Sequence, residues 1–286
     1  MEILHDKVNN FIITDPHGMV GYYLLPLLRE QGPLRELTLF HCAGTDEDSD
    51  AVALNTQATS EMLSQLSAQA PLPTRIVYLS SQKVYSPDAG KDVDETRPTF
   101  AWSEAGRTRA RTEMLMEKWA SANGAILTIV RPALTFGKGV SGEAQRLFDR
   151  VIANRFVHIR GNDAMVSTVT ALDVARSMAA LAGTPGIFNI SDGIARTWPQ
   201  IAEAMTANAG APKRPPVLPE KWAAWIWRIF GRLPMVRQML SPEVLEPMTR
   251  TLTLDNSRVR QATGIEFFDT LAVIARTDRN YPYEDS

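Results

Sequence analysis

Two rhythms of apolar and polar positions alternate along this chain: short runs that are solidly apolar, and longer segments whose apolar residues recur at helical spacing. Asn10 to Thr14 (NFIIT) reads as a short buried strand, and Met19 to Glu30 (MVGYYLLPLLRE) as a helix stopped by Gly32-Pro33. Pro26 falls inside that helix and predicts a kink or local irregularity. Leu37 to Cys42 (LTLFHC) is the next strand, Ala51 to Ala70 a polar-faced helix, and Arg75 to Ser81 a third strand. Ser103 to Asn123 forms a third helix and Ile126 to Arg131 (ILTIVR) a fourth strand. Such alternation predicts a mostly parallel sheet with helices on both faces.

Beyond Pro132 the rhythm loosens. Helices are expected over Glu143 to Asn154, Leu172 to Ala182 and Pro199 to Ala209, with strands over Ser167 to Thr170 and Gly186 to Ile190. PKRPPVLP (Pro212 to Pro219) reads as an extended linker. KWAAWIWRIFGRL (Lys221 to Leu233) then reads as an amphipathic aromatic helix with basic residues among its tryptophans, covering a small lobe or meeting a membrane surface or partner.

Composition narrows the classes. With 286 residues, 44% hydrophobic and 22% charged, the chain has ample material for a large α/β core and a smaller lobe. A formal net charge of -2 offers no basic excess for nucleic acid. The single Cys42 excludes an internal disulfide or a cysteine metal cluster, and four His without paired spacing give no zinc motif. The first residues lack the pattern of a signal peptide, and no stretch approaches the ~20 apolar residues of a membrane span, so a cytoplasmic location is expected.

The chemistry concentrates between Arg75 and Glu113. RIVYLSSQKVY (Arg75 to Tyr85) carries a strand into Ser80-Ser81, and DETRP (Asp94 to Pro98) precedes Ala105, Arg109 and Glu113. RPALTFGKG (Arg131 to Gly139), STVTALDVA (Ser167 to Ala175), GIFNISDG (Gly186 to Gly193) and LDNSRVRQATG (Leu254 to Gly264) follow. In this order the segments resemble the extended short-chain dehydrogenase/reductase family, also called the NAD-dependent epimerase/dehydratase family, in its nucleotide-sugar epimerase and reductase branch.

The resemblance implies a Rossmann-like doubly wound parallel sheet over residues 1–135. Residues 136–286 would form mainly a small α+β substrate lobe and C-terminal helices, interleaved with the last sheet strands. It further implies NAD or NADP as cofactor, a nucleotide sugar as ligand, and a homodimer or pairing with an intact paralogue. Candidate cofactor contacts are Gly18 and Gly21 of the TDPHGMVG loop, Ala43 of HCAG, Asn55 of NTQAT, and Arg131. Ser80 and Ser81 stand where a serine polarises the substrate carbonyl in the family, although small residues also commonly end a parallel strand. Arg131 would contact a phosphate or cap its strand.

Three departures bear on activity. The family's Tyr-x-x-x-Lys, in which a phenol moves the proton and a lysine lowers its pKa, reads Ala105 and Arg109 here. Alanine has no proton to give, and a guanidinium stays charged at any accessible pH. The first glycine of the dinucleotide loop is Asp15, whose carboxylate would repel a pyrophosphate. Finally, HCAG and NTQAT match positions that the family reaches only after two further βα units, so the sheet is expected to be shortened by two units; a βαβ unit takes roughly 30 or more residues. The competing register makes Leu37 to Cys42 the ordinary second strand, with Asp46 or Glu47 as the ribose acid about 20 residues past the glycines.

His17 and His41 are read as structural imidazoles that could titrate near neutrality, and Tyr78 and Tyr85 as packing residues. Ser103 and Glu104 are candidate replacement acids, one and two positions off register. Three functions stay open at this point: a divergent member without standard NAD redox chemistry, acting by ligand binding, regulation or a non-redox reaction; an active NAD(P)-dependent nucleotide-sugar epimerase, dehydratase or reductase with atypical catalytic residues; and a scaffold subunit for a paralogue.

Overall fold

The computed structural model describes residues 1–86, 88–137, 142–208, 214–241, 245 and 248–276. Lys138 and Gly139, Ala209, and Pro212-Lys213 of the expected linker lie outside the described residues. In chain order the first elements are β1 (Ile3–Asp6), β2 (Phe11–Thr14), α1 (Gly21–Gln31), β3 (Thr38–His41), α2 (Ala58–Ser67), β4 (Arg75–Leu79), β5 (Gly90–Val93), α3 (Glu104–Asn123) and β6 (Ile126–Pro132). They continue with β7 (Leu134–Phe136), α4 (Gly142–Ile152), β8 (His158–Ile159), β9 (Met165–Thr170), α5 (Ala171–Ala180) and β10 (Gly186–Ile190). Next come β11 (Ala195–Thr197), α6 (Trp198–Asn208), β12 (Val217–Leu218), α7 (Glu220–Phe230), α8 (Pro234–Leu240) and β13 (Leu252–Leu254), before helices over Ser257–Thr263 and Thr270–Arg276.

The main sheet has six strands in the order β1-β2-β3-β4-β6-β10, all parallel except the antiparallel hairpin strand β1. Its inner strands β2, β3, β4 and β6 are largely apolar because both faces are covered. Phe11, Ile13, Phe40, Val77 and Val130 point to one face, against Leu24 and Leu28 of α1 and Val174 and Met178 of α5. Ile12, Leu39, Ile76, Tyr78 and Ile129 point to the other, against Met62 and Leu63 of α2 and Met116 and Ala120 of α3. This is the doubly wound α/β arrangement expected from the sequence.

The strand order separates the two registers. A dinucleotide-binding sheet runs 3-2-1-4-5-6, reversing beside its first strand. If β3 were the ordinary second strand, a later strand would cross back to the far side of β2. Instead β4 pairs with β3, β6 with β4, and the far side of β2 is filled by β1. The parallel strands thus proceed without reversal, as the register shortened by two units requires.

Several elements were not visible in the pattern. A second sheet, β11-β9-β13-β5 with β7 paired to β9, uses strands of three to six residues scattered from Gly90 to Leu254. Its β9 contains the strand expected over Ser167 to Thr170, whereas the others, of three or four residues, carry too few alternations to read. Of the expected linker, Val217–Leu218 pairs with His158–Ile159 as a two-stranded ribbon. The helix expected from Ala51 begins as a wider π-helical turn over Val52–Gln57; here the Asn55 carbonyl accepts a hydrogen bond from the Thr112 hydroxyl (2.8 Å), an outside partner that accompanies the widened turn. The helix expected to Leu233 ends at Phe230, and Pro234 opens α8.

Candidate functional site

A cleft of about 310 Å³ opens where the parallel strands end. Its walls come from the loops after β2, β3, β4 and β6, the crevice outside the carboxyl ends where open α/β sheets bind ligands. Gly18, Gly21, Ser80, Ser81 and Arg109 line it, whereas Ala43, Asn55, Ala105 and Arg131 do not.

The loop after β2 is held tightly. Asp15 takes a left-handed φ of 52°, its carbonyl accepts from Gly18 N (3.1 Å), and its carboxylate folds over Gly18 so that any Cβ there would collide with it. A Cβ on Gly21 would likewise strike the Asp15 carbonyl, so the second retained glycine lets α1 start close to the strand. Burial, and after it the charge of Glu2, push the Asp15 carboxyl pKa up. A carboxyl whose folded pKa is raised favours folding below its unfolded value of 3.8, and that contribution is lost as pH rises through the folded value. Asp15→Asn is therefore expected to raise the urea midpoint at neutral pH and to lose that advantage below 3.8, which denaturation curves at the two pH values will measure.

Thr14 ties this loop to the next one. Its hydroxyl oxygen accepts from Cys42 N and Ala43 N (both 3.0 Å), so its own proton goes to His41 Nδ1 (2.9 Å), and His41 Nε2 donates to Thr59 (2.8 Å). Burial and the neighbouring Arg109 push the His41 pKa down to about 3. His41 is thus a neutral, doubly bonded structural imidazole. Ala43 offers only backbone to this corner, and Asn55 clamps the loop by accepting from Thr45 N (2.7 Å) and donating to Thr45 O and the Thr108 hydroxyl.

The same loop also packs against the start of α3, at Ala105. Ala105 is completely buried, and its backbone N–H donates to Asp48 Oδ1 (2.7 Å) from the loop after β3. Arg109, one turn later, is also buried; Nη1 donates to Leu79 O (2.9 Å) and Ala43 O (3.4 Å), and Nε lies 3.8 Å from Asp46 Oδ1. Gly44, at φ 138°, passes so close that a Cβ would come within 2.5 Å of Arg109 Nη1. The guanidinium sits beneath the loop as a bolt. Ser103 caps α3 through Gly106 N, and Glu104 pairs with Arg107; neither lines the cleft.

Ser80 and Arg131 belong to a buried polar chain behind the cleft. Glu113 accepts Ser80 Oγ (2.5 Å) and Arg131 Nε (2.9 Å) on one carboxylate oxygen and Arg131 Nη2 (2.6 Å) on the other. Arg131 Nη1 donates to Tyr85 OH (2.9 Å), which donates to Asn189 Oδ1 (2.9 Å). Burial opposes the charge of Arg131, but its bonds to Glu113 outweigh that and raise its pKa. The Arg131 guanidinium is thus bonded to Glu113 and Tyr85 rather than lining the cleft, and the Tyr85 hydroxyl is part of the chain. Glu113 and Asn189, the centre and end of this chain, were not singled out as candidates; the only signal for Glu113 was a charge on the same helical stripe as Ala105 and Arg109.

At the open side of the cleft Ser81 lies 3.5 Å from Asp46 Oδ2 and caps the turn Gln82–Val84, and Lys83 Nζ donates to the Asp46 carbonyl (3.1 Å). Among the described residues, Gln82 Oε1, Asp46 Oδ1 and Arg109 Nε are buried here without a hydrogen bond, the last two facing each other as an ion pair at 3.8 Å. The described lining includes Asp15, Asp46, Glu47 and Asp50 against the cations Lys83 and Arg109. No group of residues suited to a metal ion occurs among those described.

A doubly wound sheet with its cleft at the strand ends defines the class, and the sequence defines the family. The chain belongs to the NAD dependent epimerase/dehydratase family, whose model matches residues 38–190, beginning past the glycine loop. No curated protein sequence matches the chain. Among solved structures it is similar to MoeE5 in complex with UDP-glucose and NAD, at 17% identity and a TM-score of 0.68, over 92% of this chain and 95% of that one. RMD from Pseudomonas aeruginosa complexed with NADPH is 17% identical, with a TM-score of 0.66 over 93% and 97%. UDP-glucose 4-epimerase from Thermotoga maritima with UDP-glucose is 17% identical, with a TM-score of 0.67 over 92% and 95%. At such identity the likeness is one of fold.

Proposed function

We propose that this protein is a non-redox member of its family, using the cleft to bind a small polar molecule without NAD-dependent hydride transfer. The observation that carries the reading is the closure of Ala105: the residue in the proton-donor place is completely buried, with Asp48 bonded to its backbone. No side chain there can reach a substrate, and Arg109 is committed to backbone carbonyls.

NAD or NADP fits the described residues poorly. The Asp15 carboxylate lies over Gly18 at the start of α1, where a pyrophosphate needs open backbone N–H groups. The antiparallel β1 occupies the sheet edge that would wall the adenosine half. An excess of carboxylates among the described lining residues also disfavours the diphosphate of a nucleotide sugar and suits a neutral or cationic ligand.

Calorimetric titration of the purified protein with NAD, NADH, NADP, NADPH and UDP-glucose tests the proposal. Binding no tighter than millimolar, with no absorbance change of the nicotinamide when sugar nucleotides are added, is the expected outcome. A dinucleotide extracted from the native protein, or micromolar binding of one, overturns it.

A further inference from the structure

Among the described residues, helices α7 and α8 present an exposed apolar surface. One side of α7 packs inward, with Ala223 buried and Ile226 and Trp227 against Ile159 and Leu240. On its outer side Trp222 is 59% exposed, Trp225 50% and Ile229 51%; Phe230 at 43%, Leu233 at 53% and Met235 at 60% continue into α8. The aromatic rings brace one another edge to face, Trp222 against Trp225 at 5.9 Å and Trp225 against Phe230 at 6.3 Å. A patch of this kind on a folded surface marks an interaction site.

Charge identifies the partner. From Glu220, which opens α7, to Arg237 the segment carries Lys221, Arg228, Arg232 and Arg237 against that single acidic residue, within a chain of net charge -2. At about 100° per residue, Lys221 and Arg228 border the stripe formed by Trp225, Ile229 and Trp222 on the side away from the core. Two copies meeting through this face would set like charges against each other around a two-fold axis. An anionic lipid surface neutralises them while its headgroup boundary accepts the indole rings. At about 16 Å, the eleven residues of α7 are too short to span a bilayer, and no described helix is long and apolar enough to do so.

We infer that the α7–α8 hairpin seats the protein on anionic membrane surfaces, with Trp222, Trp225 and Ile229 in the headgroup boundary and the basic residues against lipid phosphates. This is independent of whether the cleft binds a dinucleotide.

Flotation with vesicles of phosphatidylcholine, alone or mixed with phosphatidylglycerol, provides the test. The full chain is expected to float with the mixed vesicles and much less with the neutral ones, with a blue shift of tryptophan emission. Arg228→Gln/Arg232→Gln is expected to weaken binding roughly thirtyfold, from about 1 kcal/mol per cation. Trp222→Ser/Trp225→Ser, at exposed positions that spare the core, is expected to weaken it at least about tenfold. Absence of wild-type binding overturns the inference, as does undiminished binding by the tryptophan variant. So does a wild-type dimer in gel filtration that this variant dissociates while neither protein binds vesicles.

Discussion

Glu113→Leu is expected to lower the free energy of unfolding by about 3–5 kcal/mol, because it strands the Arg131 guanidinium in the interior. Both side chains are nearly inaccessible, at 4% and 7% exposure, and the pair is joined by two bonds with Ser80 on the same carboxylate. The attraction within such a pair roughly offsets the cost of removing both ions from water, so losing one partner leaves the other's cost uncompensated. Urea denaturation should show a lower midpoint with an unchanged slope. The double variant Glu113→Leu/Arg131→Met should recover most of the loss, since an apolar pair of similar volume has no charge to strand. If the double variant is as unstable as the single one, the destabilisation comes from the bonds to Ser80 and Tyr85 instead.

Arg109→Ala is expected to cost about 3 kcal/mol, leaving the buried Leu79 and Ala43 carbonyls without their donor. A purely catalytic lysine replacement would cost activity and little stability; here the order is reversed. Arg109→Lys keeps the charge but offers a point donor in place of a planar fork, so it should recover only part of the loss. Urea midpoints of the three proteins give the answer, and equal stability of wild type and the alanine variant would assign Arg109 to the ligand.

The parallel sheet was legible in the sequence because β2, β3, β4 and β6 are covered on both faces and therefore largely apolar. Helix α3 was legible by length, but its chemistry was not. Its inward stripe of Ala105, Thr108, Arg109, Thr112 and Glu113 is largely polar, the inverse of an ordinary amphipathic pattern, because each polar group has a partner on another element. Those partners lie at sequence separations no local pattern encodes. The loop over Ala105 escaped for a similar reason: Asp46 reads only as a candidate ribose acid and Asp48 as a solvated turn residue until the fold brings them onto α3.

The in-line sheet also bears on how the chain acquires its structure. In a reversing sheet the fourth strand must return past intervening strands to the first; here Phe11 lies opposite Thr38, and Thr38 opposite Arg75, so each new strand of this sheet docks on the strand that last joined it. Such an order shortens the loops closed at each step and suits assembly in the direction of synthesis, with β1 already folded back by its hairpin to shield the first edge from other nascent chains.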